Sequence, residues 1–258
     1  MGMLMVNILA ILLPLNNLTT GELSDALPNL FVPIGFTFSI WSVIWLLLLG
    51  YLVVQFRIAY GRGSDSVFWS RTSPFSSRVV GAWFPLNMGL NAGWIFAWHY
   101  QFVGLSVLIM FALLATLVVM FLRVDHAVAS AEGGRFARVP ISVYFGWITI
   151  ATIANVTAFL VSVNWGGWGV SDVVWTVFVI AVGLAVTLAM LIRRHDIAFS
   201  AVAVWAFLGI AAKRIAEGTP EGPAVLVSAI VAVVVIVFAA VVAPALRGRS
   251  SSPGSDRA

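Results

Sequence analysis

Two asparagines and two tryptophans share one hydrophobic stretch of the chain. They are Asn87, Asn91, Trp94 and Trp98. Spacings of four, three and four residues place them on one face of a helix. A carboxamide that faced lipid would leave its donors and acceptor without partners, at a cost of about 2–7 kcal/mol. This face must therefore meet protein, water or a ligand, and the chemistry it offers is hydrogen bonding and aromatic stacking.

Two further stretches carry aromatic stripes at helical spacing. One consists of Phe38, Trp41 and Trp45, and the other of Tyr144, Trp147, Ala151 and Asn155. For any one of these residues, packing between helices explains the pattern, because small residues and buried amides often join membrane helices. The three stripes together favour a cavity with flat aromatic walls and a few hydrogen-bonding groups. Such a cavity suits a planar, apolar ligand.

The titratable residues do not form a catalytic set. The three histidines, His99, His126 and His195, are scattered along the chain, and the chain has no cysteine. No Arg, Lys or Asp lies in the middle of an apolar run, where it would cost about 2.5–3.5 kcal/mol. A nucleophile with an acid and a base, or a set of metal ligands, is therefore missing. We predict neither an enzyme nor a cofactor.

Composition places the chain in a membrane. It has 258 residues, of which 61% are hydrophobic and 9% are charged, with a mean hydropathy of +1.04. Soluble domains have about 25% charged residues. The pI near 10.1 comes from basic residues that lie between apolar runs. That distribution indicates orientation in a membrane and not nucleic-acid binding.

The apolar runs predict an all-α polytopic membrane protein with eight transmembrane helices. The runs cover residues 2–15, 34–57, 79–98, 103–122, 140–163, 173–192, 196–212 and 223–245. With the N-terminus inside, all but two of the 14 Lys and Arg residues fall on the inner side; the exceptions are Lys213 and Arg214. The positive-inside rule thus favours eight spans with both termini cytoplasmic. Residues 247–258, rich in Ser, Gly and Arg, are predicted to be a disordered cytoplasmic tail.

The polar connection between the first two runs contains a helix-start signal. Thr19 and Glu22 have the spacing of a capping box, which predicts a short interfacial helix that ends near Pro28.

Three sequence elements resemble those of the TspO/MBR family, the tryptophan-rich sensory proteins and translocator proteins. Asn-x-x-x-Asn-x-x-Trp from Asn87 to Trp94 resembles the family's third-helix element, in which Gln takes the place of the first Asn. Tyr-x-x-Trp-x-x-x-Ala-x-x-x-Asn from Tyr144 to Asn155 is similar to its fifth-helix element. Pro33 followed by Trp41-x-x-x-Trp45 is similar to the end of its first loop and the start of its second helix, where Tyr takes the place of the second Trp. The resemblance covers roughly residues 1–165.

The resemblance implies a five-helix bundle whose first loop caps a pocket for porphyrins, haem or, in some members, sterols. The implied ligand-binding residues lie on the second, third and fifth helices: Trp41, Trp45, Asn87, Asn91, Trp94, Tyr144, Trp147, Ala151 and Asn155. Residues 166–246 would add three transmembrane helices that cover this bundle.

The leading hypothesis is a binding or sensory protein for a planar hydrophobic molecule, by resemblance a tetrapyrrole such as a porphyrin or haem, or a similar lipid. Facilitated transport of a tetrapyrrole or lipid is the alternative, and an intramembrane enzyme is a third reading. The expected partners are this small molecule and membrane lipids, with no nucleic acid, and a homodimer is left open. The expected location is the plasma membrane of a prokaryote.

Overall fold

The computed structural model of the protein describes residues 18–60, 73–129 and 134–250. Most of these residues are helical, and no strand lies among them. The α-helices are α1 (Thr20–Asp25), α2 (Ile40–Tyr60), α3 (Ser77–Val80), α4 (Trp83–His99), α5 (Val103–Ala129), α6 (Val139–Ser162), α7 (Asp172–Arg194), α8 (Ile197–Glu217) and α9 (Gly222–Ser250). Short 3₁₀ helices precede α2, α6 and α7.

Six helices are long and apolar enough to cross a membrane: α2, α5, α6, α7, α8 and α9. The class predicted from the sequence, an all-helical polytopic membrane protein, is confirmed. The remaining two predicted spans are not established. The run at residues 2–15 lies outside the described residues. Helix α4 has only 17 residues, because the helical conformation is interrupted at Gly81, where φ is +56°. The count of eight stays a prediction.

The predicted capping box starts α1. The backbone N–H of Glu22 donates to the Thr19 hydroxyl at 3.2 Å, and the backbone N–H of Thr19 donates to the Glu22 carboxylate at 2.7 Å. The helix ends at Asp25, one turn before Pro28. The segment that follows turns inward and buries Phe31 completely. Residues 20–33 therefore form a cap over one end of the bundle.

Helix α6 is the central element and contacts α2, α5, α7 and α8. It packs tightly against α8 at Gly146. A Cβ there would lie 3.0 Å from the carbonyl oxygen of Phe199 and 3.2 Å from the Cβ of Val202. Glycine thus lets α8 pack directly on α6, a use of small residues that is common in membrane helices.

Helix α8 also binds the segment that leads into α2. The backbone N–H of Ile34 donates to the carbonyl oxygen of Gly209 at 3.0 Å, and the indole N–H of Trp205 donates to the carbonyl oxygen of Thr37 at 2.9 Å. A Cβ at Gly209 would collide with the side chain of Thr37. A helix from the predicted three-helix addition therefore reaches the start of α2.

A polar cluster joins four helices at the opposite end of the bundle from α1. Arg138 forms ion pairs with Asp125 and, at 3.5 Å, with Asp196. Arg194 contacts Asp125 at 2.9 Å, and the hydroxyl of Ser142 donates to Asp196 at 2.6 Å. The cluster fixes the neighbouring ends of α5, α6, α7 and α8.

Helix α9 packs on α7 and α8 and continues to Ser250. The first residues of the predicted tail, 247–250, are thus part of this helix, and residues 251–258 lie outside the described part of the chain.

Candidate ligand-binding site

The three aromatic stripes meet at Trp41. Its indole stacks on Trp45 at 6.2 Å between ring centroids and on Trp94 at 6.1 Å. Tyr144 and Trp147 meet it edge-on at 6.0 and 6.3 Å. These distances are those of favourable aromatic pairs. The side chains that sequence spacing places on α2, α4 and α6 therefore form one cluster.

The stack continues along α4 to the cap. Trp94 stacks on Trp98 at 5.9 Å with an angle of 15° between the rings. The indole N–H of Trp98 donates to the carbonyl oxygen of Thr20 at 3.3 Å. This bond ties the aromatic cluster to α1.

A small cavity of about 40 Å³ lies inside the cluster. Of the predicted ligand-binding residues, the structure brings five to its wall: Trp41, Trp94, Trp147, Ala151 and Asn155. Trp45, Asn87, Asn91 and Tyr144 are not part of that wall. Trp45 and Tyr144 instead support Trp41 from behind, in the contacts given above.

The three asparagines hold helices together. Asn91 donates to the hydroxyl of Tyr144 at 2.9 Å, joining α4 to α6. Asn155 donates to the hydroxyl of Ser106 at 3.1 Å, joining α6 to α5. Asn87 donates to the hydroxyl of Thr116 at 2.7 Å and so faces α5, away from the aromatic cluster. The amides thus set the positions of the helices that carry the aromatic rings.

Several wall residues were not among those predicted to bind ligand. They come from the cap, from the aromatic stripes themselves, from α6 and from α8: Thr20, Ser24, Phe31, Pro33, Phe38, Trp98, Ile150, Ala154, Ala206 and Ile210. Phe38 and Trp98 lie on the predicted stripes, and Pro33 belongs to the first-loop element. Ala206 and Ile210 have no such signal, because their position depends on the packing of α8 against α6.

Two donors of the wall are buried and unpaired. The indole N–H groups of Trp94 and Trp147 have no hydrogen-bond partner within the described part of the chain. Both side chains are at most 5% exposed. A buried donor without a partner costs about 1–3 kcal/mol, and a ligand oxygen or nitrogen would remove that cost. No ionisable group lines the cavity, and the described residues contain no cluster of His, Asp and Glu that could hold a metal ion.

The fold and this cluster define a polytopic helical membrane protein with an aromatic cavity under the cap of residues 20–33. A family model described as TSPO-like protein matches residues 1–242. The chain belongs to this family, as its motifs predict. The match extends well beyond residues 1–165, the part of the chain that the motifs cover, and it includes α7 and α8. Neither curated proteins nor solved structures give a match.

Proposed function

We propose that the protein binds a planar hydrophobic ligand, with a tetrapyrrole as the first candidate, among Trp41, Trp94, Trp98 and Trp147. The observation that carries this proposal is the pair of unpaired indole N–H groups in a mostly apolar wall. Flat rings supply stacking surfaces, and the two donors would bind acceptor atoms of the ligand. Membership in the TSPO-like family supports a role in binding, sensing or transport of this kind.

Ligand entry requires the cluster to open, because ligand pockets are usually about 300–1,000 Å³ and this cavity is about 40 Å³. Two polar contacts tie the cap to α4 and α8. Trp98 holds it through Thr20, and Lys213 of α8 forms an ion pair with Asp25 at the end of α1. A bound ligand would displace the cap. Such coupling between occupancy and cap position is what a sensor needs.

Facilitated transport of the same ligand is the alternative. The wall residues contributed by α2 and α4 are Trp41, Trp94 and Trp98. All three lie in the halves of these helices nearest the cap. A site that opens toward one end of the bundle favours binding and sensing over passage.

For the membrane arrangement, we propose eight spans with both termini cytoplasmic, in a prokaryotic plasma membrane. Helix α4 would be about 25 Å long at 1.5 Å per residue, near the hydrocarbon thickness of about 30 Å. The run at residues 2–15 would supply the remaining span. This arrangement puts the cap and the aromatic cavity on the outer side. A homodimer stays compatible with it.

The proposal is tested with the full chain, purified in mild detergent. An absorbance spectrum shows whether a molecule with a Soret band copurifies, and a titration with protoporphyrin IX follows quenching of tryptophan fluorescence. We expect saturable quenching at a stoichiometry near one per chain. Absence of both a Soret band and saturable quenching would overturn the tetrapyrrole assignment.

A further inference from the structure

A second and much larger cavity, of about 850 Å³, lies between α6 and α7 and extends to the cap and the C-terminal end of α8. It shares no wall residue with the aromatic cavity. Ala151 and Ala154 of α6 face the aromatic cavity, whereas Ile153, Val156 and Leu160 face the larger one. Helix α6 thus forms a wall between the two. The volume of the second cavity is that of an ordinary ligand pocket.

The middle of the cavity, along α6 and α7, is mostly apolar. Ile153, Val156 and Leu160 come from α6 and Val179 from α7. The hydroxyl of Thr157 donates to the carbonyl oxygen of Ile153 in its own helix, at 2.9 Å, and so needs no partner from a ligand. A surface of this kind suits a hydrocarbon chain.

At the cap end the wall changes character, because it contains Arg214. This residue is only 4% exposed. Its Nε and Nη2 atoms have no hydrogen-bond partner among the described residues, and neither has the buried hydroxyl of Thr219. Nη2 lies 2.9 Å from a carboxylate oxygen of Glu217, an ion pair without hydrogen-bond geometry. Nε and Nη2 form one edge of the guanidinium, and such an edge binds two oxygens of a carboxylate or phosphate at once.

The other charged groups of the wall are paired or exposed. Lys213 pairs with Asp25 and, at 3.8 Å, with Glu217. The four wall carboxylates, Asp25, Asp172, Glu217 and Glu221, are all exposed. Water and salt screen exposed charges, so they oppose an acidic ligand weakly. They would still disfavour a head group that carries several negative charges.

We infer that this cavity binds an amphiphile with a singly charged acidic head group. Its carboxylate or phosphodiester oxygens accept hydrogen bonds from Nε and Nη2 of Arg214, and its hydrocarbon chain lies between α6 and α7. A free fatty acid and an anionic phospholipid share this chemistry. The site is separate from the proposed tetrapyrrole site and does not depend on it.

Trp165 and Trp175 line the cavity, so a brominated chain bound there would quench their fluorescence. The full chain in detergent is titrated with dibromostearate and with its methyl ester, which lacks the charge. We expect saturable quenching by the acid and at least tenfold weaker binding of the ester. Equal binding of acid and ester would overturn the inference.

Variants then test Arg214. Arg214→Gln should weaken binding of dibromostearate roughly 10- to 100-fold, because hydrogen bonds to a charged group contribute about that much to affinity. Glu217→Gln should strengthen it, because the carboxylate no longer competes for Nη2. Arg193→Gln, at an exposed position at the far end of α7, is the matched control and should change nothing. Unchanged affinity in Arg214→Gln, or weaker binding in Glu217→Gln, would contradict the assignment.

If Arg214→Gln does not fold, Thr157→Phe serves instead, because it fills the apolar part without touching a charge. It should weaken binding of dibromostearate at least tenfold, and normal affinity would overturn the inference.

Nanodiscs with dibrominated phosphatidylglycerol or dibrominated phosphatidylcholine distinguish a phospholipid ligand from a free fatty acid. Greater quenching by phosphatidylglycerol assigns a phospholipid, and equal quenching together with tight dibromostearate binding assigns a free fatty acid. Protoporphyrin IX titrations of Arg214→Gln should match the wild type, which keeps this test distinct from that of the aromatic cavity.

Discussion

The side-chain amide of Asn91 donates a hydrogen bond to the hydroxyl of Tyr144 at 2.9 Å, and both side chains are completely buried. The bond links α4 to α6 beside the ring of Trp41. Asn91→Leu removes the donor and should lower the free energy of unfolding by about 1–3 kcal/mol. Thermal unfolding in detergent, followed by circular dichroism, measures the change.

Tyr144→Phe provides the matched control for this bond. In a double-mutant cycle, the two changes together should cost less than the sum of the single changes, because each breaks the same interaction. Additive losses would mean that Asn91 and Tyr144 stabilise the protein independently.

At the other end of the bundle, Asp196 is the most buried member of the ion-pair cluster, with 2% exposure. It also accepts from the backbone N–H of Phe199 at 3.0 Å, which caps α8. Asp196→Ala should lower the free energy of unfolding by about 1–3 kcal/mol, since it leaves the buried hydroxyl of Ser142 and the backbone N–H of Phe199 without their acceptor. Asp172→Ala, at the exposed start of α7, should cost less than about 1 kcal/mol. Similar losses for both variants would argue against the cluster.

The cap should respond to acid through Glu22. Hydrogen bonds from the backbone N–H and the hydroxyl of Thr19 lower the pKa of the Glu22 carboxyl below its ordinary value of 4.5. Because the folded-state pKa is depressed, the stabilisation of α1 is complete above the ordinary value and is lost as the pH falls through the folded value. The protection factors of the α1 amides, which are exchange rates corrected for the intrinsic effect of pH, should therefore fall below about pH 4.5. In Glu22→Gln, the α1 amides should be less protected at neutral pH, and their protection should not fall further below about pH 4.5. A further fall in that variant would assign the effect to another group.

The proposed orientation puts the cap outside. The chain has no cysteine, so single cysteines can be placed at two exposed positions, Glu221 between α8 and α9 and His195 between α7 and α8. An impermeant thiol reagent should label Glu221→Cys in intact cells and label His195→Cys only after lysis. The reverse pattern would invert the topology.

The aromatic cluster is the part of the site that sequence spacing predicts best. Offsets of three and four residues put Trp41, Trp94 and Trp147 on the inner faces of their helices, and the three rings do meet. The same spacing does not determine which neighbouring helix packs against a given helix face. Asn87 shares the stripe of Asn91 but bonds to Thr116 of α5, because successive residues of one stripe diverge around the helix.

The contribution of α8 could not be predicted from spacing. Ala206 and Ile210 reach the aromatic cavity because Gly146 and Gly209 allow α8 to approach α6 and Thr37. Nothing in the sequence distinguishes these glycines from the others, and their role depends on how the helices pack.

Tetrapyrrole affinity in tryptophan variants tests the central claim most directly. Trp94→Leu and Trp147→Leu each remove a stacking surface and an unpaired donor but keep the side chain apolar. Each should weaken protoporphyrin IX binding by about 2- to 13-fold, from the 0.5–1.5 kcal/mol of an aromatic contact. Trp168→Leu, at a position that is 82% exposed, should leave the affinity unchanged. Equal losses in all three variants would show that the stripes only pack the helices, and would contradict a binding site at Trp41.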